Sequence, residues 1–560
     1  MGYPTLRGAR LTTTLGLLGA IAFTLQGYDQ GLMNGLITLP TFYTQFPETN
    51  AITTSGSVKS RASTVQGTTV AIYEVGAAIG AGSCYFLGDR LGRRRMISLA
   101  AGVVLVGVVV QSSAFALAQL IVGRVVTGMF LPRVFCDEEE TSYEVMVCLM
   151  NVVGLGVGAF TATIPMWVAE CTRAHSRGSL VSKYSFSPPT LRQRVYDTTV
   201  LENAGAIGGL VFVSWFEFGL YFVKNNSVNW RLPIAFQALF ALAVLIGIWG
   251  LPESPRWLVL RDRTDQARTT LSALDDVPLD DELVATDLSQ IQHSLSLENV
   301  GESTNPFAPT KNRHLQRTVT AIAVNMFCQM SGVNVISFYS NSIFEGTLGY
   351  TAETSRIISG CLQIWQFIWA CTAVFLIDRF GRRQLLLAGA AGMALSQAGL
   401  AGLTSHLENR TAASLSLLFD FIALGIFPVC LFVIAFMYSA EIAPLRIRAK
   451  VTAMSTATNW LFNFLLAEIT PVGFASIKWR YYLVYVCTNC AAFLFFYLFC
   501  PETKGRSLEG IDEIYVRSEN MFMPVRVARE MPVEDSGGNG DLAFSAEEKK
   551  EQEFEETEEV

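Results

Sequence analysis

The chain has 560 residues, 51% of them hydrophobic and 16% charged, with a mean hydropathy of +0.36. This excludes an ordinary soluble globular protein, and the apolar residues fall in blocks of about 20, the length at which a helix crosses a bilayer core. The formal net charge of −7 comes largely from the glutamate-rich run Glu547 to Glu559, which reads as a disordered tail.

Twelve spans are predicted in chain order: Leu11–Leu36, Ser63–Leu87, Met96–Phe115, a fourth from near Ala116, a fifth ending near Val223, and Leu232–Leu251. The second set is Val319–Phe344, Ile357–Ile377, Gln384–Leu403, Ala413–Ala440, Val451–Phe474 and Tyr481–Cys500. The predicted fold is therefore an all-α membrane protein with twelve transmembrane helices in two six-helix halves, 11–251 and 318–500. Residues 1–10 form a short arm, 252–317 a polar linker with amphipathic segments around Ala267, Leu271 and Leu274, and 501–560 the acidic tail. The first apolar run is too long for a signal peptide and lacks a small-residue cleavage site.

Basic residues recur at every second loop: Arg90 to Arg95, Arg173 and Arg177, the linker, Arg379 to Arg383, and Arg446 to Lys450. Retention of positive charge on the inner side places these loops, and both termini, in the cytoplasm. The glycosylation triplets at Asn225 and Asn409 then fall in outer loops. The cysteines are scattered through apolar blocks, and Cys487 and Cys490 on the last span read as thiols rather than a metal site. The glycine clusters Gly76–Gly82 and Gly154–Gly158 follow no strand, so they read as helix-packing surfaces rather than phosphate loops.

The halves echo each other three times in the same order. Asp89-Arg-Leu-Gly-Arg-Arg94 matches Asp378-Arg-Phe-Gly-Arg-Arg383, Ala169-Glu170 matches Ala440-Glu441, and Pro252-Glu253 matches Pro501-Glu502. Such a repeat suits a transporter that rocks one half against the other. The spacing between equivalents shrinks along the chain, leaving the first half about 40 residues too long against its own repeat. Two segments account for the excess. Residues 129–153 carry Pro132, Arg133 and Asp137 to Glu140 where the fourth span should run, and residues 182–200 carry Pro188, Pro189, Arg192 and Arg194 in the fifth. A charge at mid-membrane costs about 2.5–3.5 kcal/mol even on the mild insertion scale. Gly128-Met129-Phe130 can be encoded by GGTATGTTC and Ser182-Lys183-Tyr184 by AGTAAGTAT, each with a splice-donor-like start, so both segments are read as translated introns or, failing that, as insertions.

With Gly123-Arg124, Pro165-Met-Trp-Val-Ala-Glu170, Pro252-Glu-Ser-Pro-Arg-Trp-Leu258 and Pro501-Glu-Thr-Lys-Gly-Arg-Ser-Leu-Glu509, the chain resembles the sugar porter family of the major facilitator superfamily, and most nearly its fungal monosaccharide and polyol transporters. The resemblance implies a substrate site made of Gln329, Asn334 and Tyr339 in the seventh span, Phe436 in the tenth, Trp460 and Asn463 in the eleventh, and Glu202 in the fifth. Cys328 stands where relatives carry the first of two glutamines. Neutral amides and rings suit such a ligand, because hydroxyls donate and accept while the sugar's C–H face packs on aromatic surface.

For gating, the resemblance implies salt bridges among Arg93, Arg94, Glu170, Arg177, Glu253, Arg382, Arg383, Glu441, Arg446 and Glu502, forming in one orientation of the halves and parting in the other. For proton coupling it implies Asp29 with Arg124: similar symporters have aspartate at this position, and facilitative relatives commonly asparagine. The expected activity is uptake of a monosaccharide or polyol with protons by a monomer in the plasma membrane. No cofactor, metal or nucleic-acid partner is expected, and no nucleophile, base and oxyanion set suggests an enzyme. A nutrient sensor on a transporter fold and an inactive product of a mis-spliced gene model are the alternatives.

Overall fold

The computed structural model describes residues 6–51, 54, 56–117, 119–121, 153–172, 191–299, 305–346, 348–406, 410–444, 447–506 and 508–531. Among them there is no strand. The first half contains α1 (Gly8–Leu36), α2 (Gly56–Leu91), α3 (Arg93–Ser112), α4 (Val153–Thr172), α5 (Leu191–Tyr221) and α6 (Val228–Gly247). The second contains α7 (His314–Gln329), α8 (Val333–Gly346), α9 (Ala352–Phe380), α10 (Arg382–Thr404), α11 (Arg410–Phe427), α12 (Val433–Ile442), α13 (Arg448–Ile477) and α14 (Tyr481–Phe499). Nine apolar helical stretches among the described residues are long enough to cross a membrane. One of them, Arg448–Phe499, runs through both α13 and α14.

Three spans depart from simple rods. The seventh breaks into α7 and α8 at Gly332, where φ is +89° and a Cβ would lie 2.7 Å from the Tyr485 ring; only glycine tolerates both. The tenth passes through a π turn at Pro428–Phe432 between α11 and α12, because Pro428 has no N–H to continue the α pattern. In the fifth, residues 191–200, expected to interrupt the span, are helical and form the start of α5. The remainder of the two suspect segments, 129–152 and 182–190, lies outside the described residues, as does Asn409.

The helices of the first half touch backbone to backbone. A Cβ on Gly154 would lie 2.1 Å from the Tyr73 carbonyl, one on Gly158 2.0 Å from that of Ala77, and one on Gly80 2.1 Å from that of Leu155. The two glycine clusters thus pack α2 and α4 against each other, the close approach that small residues permit when lipid gives no hydrophobic drive to association. One apolar core lies mainly in each half. A third, including Tyr28, Leu36, Phe46, Trp230, Tyr339 and Ala467, joins the halves at the end remote from the linker. Between the halves α2 packs on α13, α5 on α9, and α1 on α8. At the linker end, short helices Pro255–Leu260, Thr264–Asp275 and Glu282–Asn299 bury Trp257, Leu258 and Ala267 together with Leu271 and Leu274.

Candidate functional site

The repeated basic turns build two clusters with equivalent contacts. In the first half Gly92 starts α3 at φ +87°, and the Glu253 carboxylate, arriving just after α6, accepts from the backbone N–H of Arg93 at 2.9 Å and of Arg94 at 3.1 Å. In the second, Gly381 starts α10 at φ +91°, and Glu502, just after α14, accepts from Arg382 N–H at 2.9 Å and Arg383 N–H at 3.1 Å. A Cβ on either glycine would lie under 3 Å from that carboxylate, so glycine is required by both φ and space. Each glutamate caps a helix whose first N–H groups would otherwise be orphaned. Burial pushes the Glu253 carboxyl above its ordinary value, and the N–H groups of Ser254, Arg94 and Arg93 pull it back.

The guanidinium groups continue the repeat. Arg93 pairs with Glu170 at 3.0 Å and Arg382 with Glu441 at 3.2 Å. Arg94 donates to the Trp249 carbonyl at 2.6 Å, and Arg383 to the Tyr497 carbonyl at 2.9 Å. Trp167 donates to the Pro252 carbonyl, and Tyr438 to that of Pro501. Each acid–base pair therefore lies inside its own half, and rigid rotation of one half against the other leaves both intact. Arg177 and Arg446 lie outside the described residues.

At the α7–α8 break the candidate substrate amides converge. Asn334 donates to Gln329 Oε1 and, at 2.6 Å, to Asn463 Oδ1. Gln329 donates to Asn459 Oδ1 at 2.8 Å, Asn459 to Asn325 Oδ1 at 3.3 Å, and Asn325 to Ser439 Oγ at 2.7 Å. Sequence reasoning left Asn459 and Asn325 out of the site, although each stands one helical turn before a chosen residue, Asn463 and Gln329. Cys328, buried in the core of the second half, adds no amide. Tyr339 spends its hydroxyl on the Ala467 carbonyl at 2.7 Å. Phe436 is half-buried and meets Phe432 edge-on at 5.8 Å. Trp460 is buried; its indole N–H donates to Thr161 Oγ1 of the first half at 3.1 Å, and its ring meets Tyr73 edge-on at 5.9 Å.

Glu202 is buried between α5, α1 and α4: a Cβ on Gly19 would be 3.0 Å from its Oε1 and 3.2 Å from Ile164. Asp29 is buried in α1 at 2% exposure, next to Tyr28, whose hydroxyl donates to the Pro233 carbonyl. Its expected partner Arg124 lies outside the described residues.

Two repeated helical halves, with charge pairs at one end and uncharged amides at a helix break, define a membrane transporter rather than an enzyme. The family described as "Sugar (and other) transporter" matches residues 15–132 and 133–515, and the chain belongs to this family, the sugar porters of the major facilitator superfamily. Its relatives include the sugar transporter STL1 of Saccharomyces cerevisiae, 33% identical over 94% of this chain and 85% of that one. Another is the MFS-type transporter oryC of Aspergillus oryzae, 30% identical over 92% and 87%. The high glucose sensor RGT2 of S. cerevisiae is 28% identical over 91% of this chain and 62% of its own. Among solved structures, the proton:xylose symporter XylE bound to 6-bromo-6-deoxy-D-glucose has the same fold, with a TM-score of 0.68 at 21% identity over 90% of this chain and 99% of that one.

Proposed function

We propose that this chain takes up a monosaccharide or polyol across the plasma membrane by alternating access, in symport with protons, with both termini in the cytoplasm. The observation that carries the reading is the convergence of Gln329, Asn334, Asn459 and Asn463 at the α7–α8 break. Their amides bond to one another while Asn463 Nδ2 has no acceptor among the described residues, so an incoming polyol can exchange for those bonds hydroxyl by hydroxyl and also accept from Asn463. Asp29 supports the proton half of the reading, since an ionisable group buried in a membrane helix is expensive unless it has a task.

The test is uptake of labelled glucose, xylose and glycerol by a yeast strain without its own transporters, with and without residues 129–153 and 182–200. Asp29→Asn should abolish accumulation against a gradient while sparing exchange; sugar-dependent alkalinisation of the medium surviving in that variant would falsify the coupling role. Sequencing the transcript settles the two segments, because a cDNA containing both removes the intron reading.

A further inference from the structure

At the end remote from the linker, the two halves are tied by a polar cluster that the sequence did not suggest. Arg356, at the start of α9 in the second half, reaches into the first: its Nη2 donates to the Gly35 carbonyl at 3.2 Å and to Thr38 Oγ1 at 2.6 Å. Gly35 is among the last residues of α1, so this guanidinium caps a carbonyl that the helix itself leaves unsatisfied. Its Nη1 pairs with Glu345 of α8 at 3.0 Å, and its plane lies 4.6 Å from the Tyr221 ring of α5. Asn34 of α1 donates to Ser340 at 2.8 Å and to Ser359 at 3.2 Å, and takes the Asn341 backbone N–H at 3.2 Å.

Glu217 of α5 completes the cluster. It is 5% exposed, and a Cβ on Gly35 would lie 2.1 Å from its Oε2. With Arg356, Asn34, Asn341, Ser214 and Ser359 it lines a cavity of about 10 Å³, room for about one water. Two buried acceptors of these lining residues, Glu217 Oε1 and Asn341 Oδ1, have no hydrogen-bond donor among the described residues. The charges do not balance either. Among the described residues, Glu217 and Glu345 face one guanidinium. On α1 the nearest titratable groups are Tyr28 and Asp29, further along the helix, and the single charged residue of α6, Arg231, is tied to the carbonyls of Ser112 and Ala114.

We propose that Glu217 is a proton-binding site of the closure between the halves, taking up one proton from the outer medium as the outer ends meet and returning it to that side when they part. An uncompensated buried carboxylate is costly enough that the group neutralises instead, and a protonated carboxyl supplies the donor that the two orphaned acceptors lack. Opening admits water to the carboxyl, and solvation restores its ionised form. Closing from the ionised open form therefore consumes one proton, and the closed-to-open ratio rises up to tenfold for each unit of acidification. This proton never reaches the inner side, which separates it from the one assigned to Asp29. The inference rests on the alternating-access reading and on its orientation in the membrane.

The test measures distances between spin labels at Thr44→Cys and Ser476→Cys, on the outer ends of the two halves, in the full chain with its native cysteines replaced by alanine. Carrying Asp29→Asn throughout removes the coupling carboxylate, so that the pH dependence left is that of the closure. The closed population should then follow pH with a slope approaching tenfold per unit, and Glu217→Gln should flatten it. A flat response before Glu217 is changed, or an unchanged slope afterwards, overturns the proposal. Should Glu217→Gln not fold, Arg356→Gln is the second variant: it leaves two carboxylates uncompensated, so the slope should exceed tenfold per unit, and a slope at or below tenfold counts against the site. Failure of the symport reading appears instead as proton-independent accumulation in the uptake assay, which these distances do not register.

Discussion

The indole N–H of Trp460 in the second half donates to Thr161 Oγ1 in the first, 3.1 Å away. A side chain expected to line the substrate site thus also bridges the halves. Thr161→Val keeps the shape and removes the acceptor. Interhelical hydrogen bonds in membranes average about 0.6 kcal/mol, so the closed-to-open ratio should fall roughly threefold. Spin-label distances across the outer ends measure this, and an unchanged ratio would mean that the bond survives the movement or contributes nothing.

Gln329 links Asn334 to Asn459 in the amide cluster. Gln329→Ala removes a partner for a substrate hydroxyl and should cost on the order of 1–3 kcal/mol, raising the apparent KM about tenfold or more at normal surface expression. A KM that stays put would take Gln329 out of the site.

Glu253 and Glu502 cap α3 and α10 in the same way. Replacing either by alanine should destabilise its half by about 0.5–2 kcal/mol, the usual loss for a helix cap. The two effects should add, because the capped helices lie in different halves. Melting temperatures of the two single variants and the double variant in detergent decide both points.

Asp287 in the linker is pushed up to about 7, by burial first and then by the Asp275 carboxylate. A carboxyl whose folded value exceeds its unfolded one binds its proton more tightly when folded, so its contribution to stability falls as pH rises from about 4 towards 7. Asp287→Asn should therefore raise the melting temperature at pH 8 and change it little at pH 5. Equal effects at the two pH values would show that this carboxyl is not the titrating group.

How far the sequence could be read depended on whether partners share a motif. The repeated glycine–arginine turns were legible because each recurs in order; that Glu253 and Glu502 cap helices was not legible, because their motif reads equally as a salt-bridge partner. The sequence predicts the meeting of Glu170 with the Arg93 turn and of Glu441 with the Arg382 turn. That these pairs stay within one half was not legible, since motif order carries no information about which helices face across the interface. Asn459 was missed for a different reason: Asn463 was chosen one turn away on the same face, and the break at Gly332, which brings Asn334 round to Asn463, leaves no mark in apolar periodicity. Glu202 of α5 was legible as a polar residue of the fifth span, whereas its packing against Gly19 of α1 is seen only in the folded chain. Glu217 and Arg356 come from opposite halves and belong to no shared motif, so only the folded chain brings them together.

The caps on α3 and α10 also bear on the order of synthesis. Each is supplied by a glutamate that follows the last span of its own half, so a half becomes self-contained when that residue leaves the ribosome. The first half can thus close around Glu253 before the seventh span exists, in keeping with the habit of domains to fold as units from the N-terminus. A chain halted after the linker would already hold a finished bundle in the membrane, whereas one halted before Pro252 would leave the start of α3 uncapped.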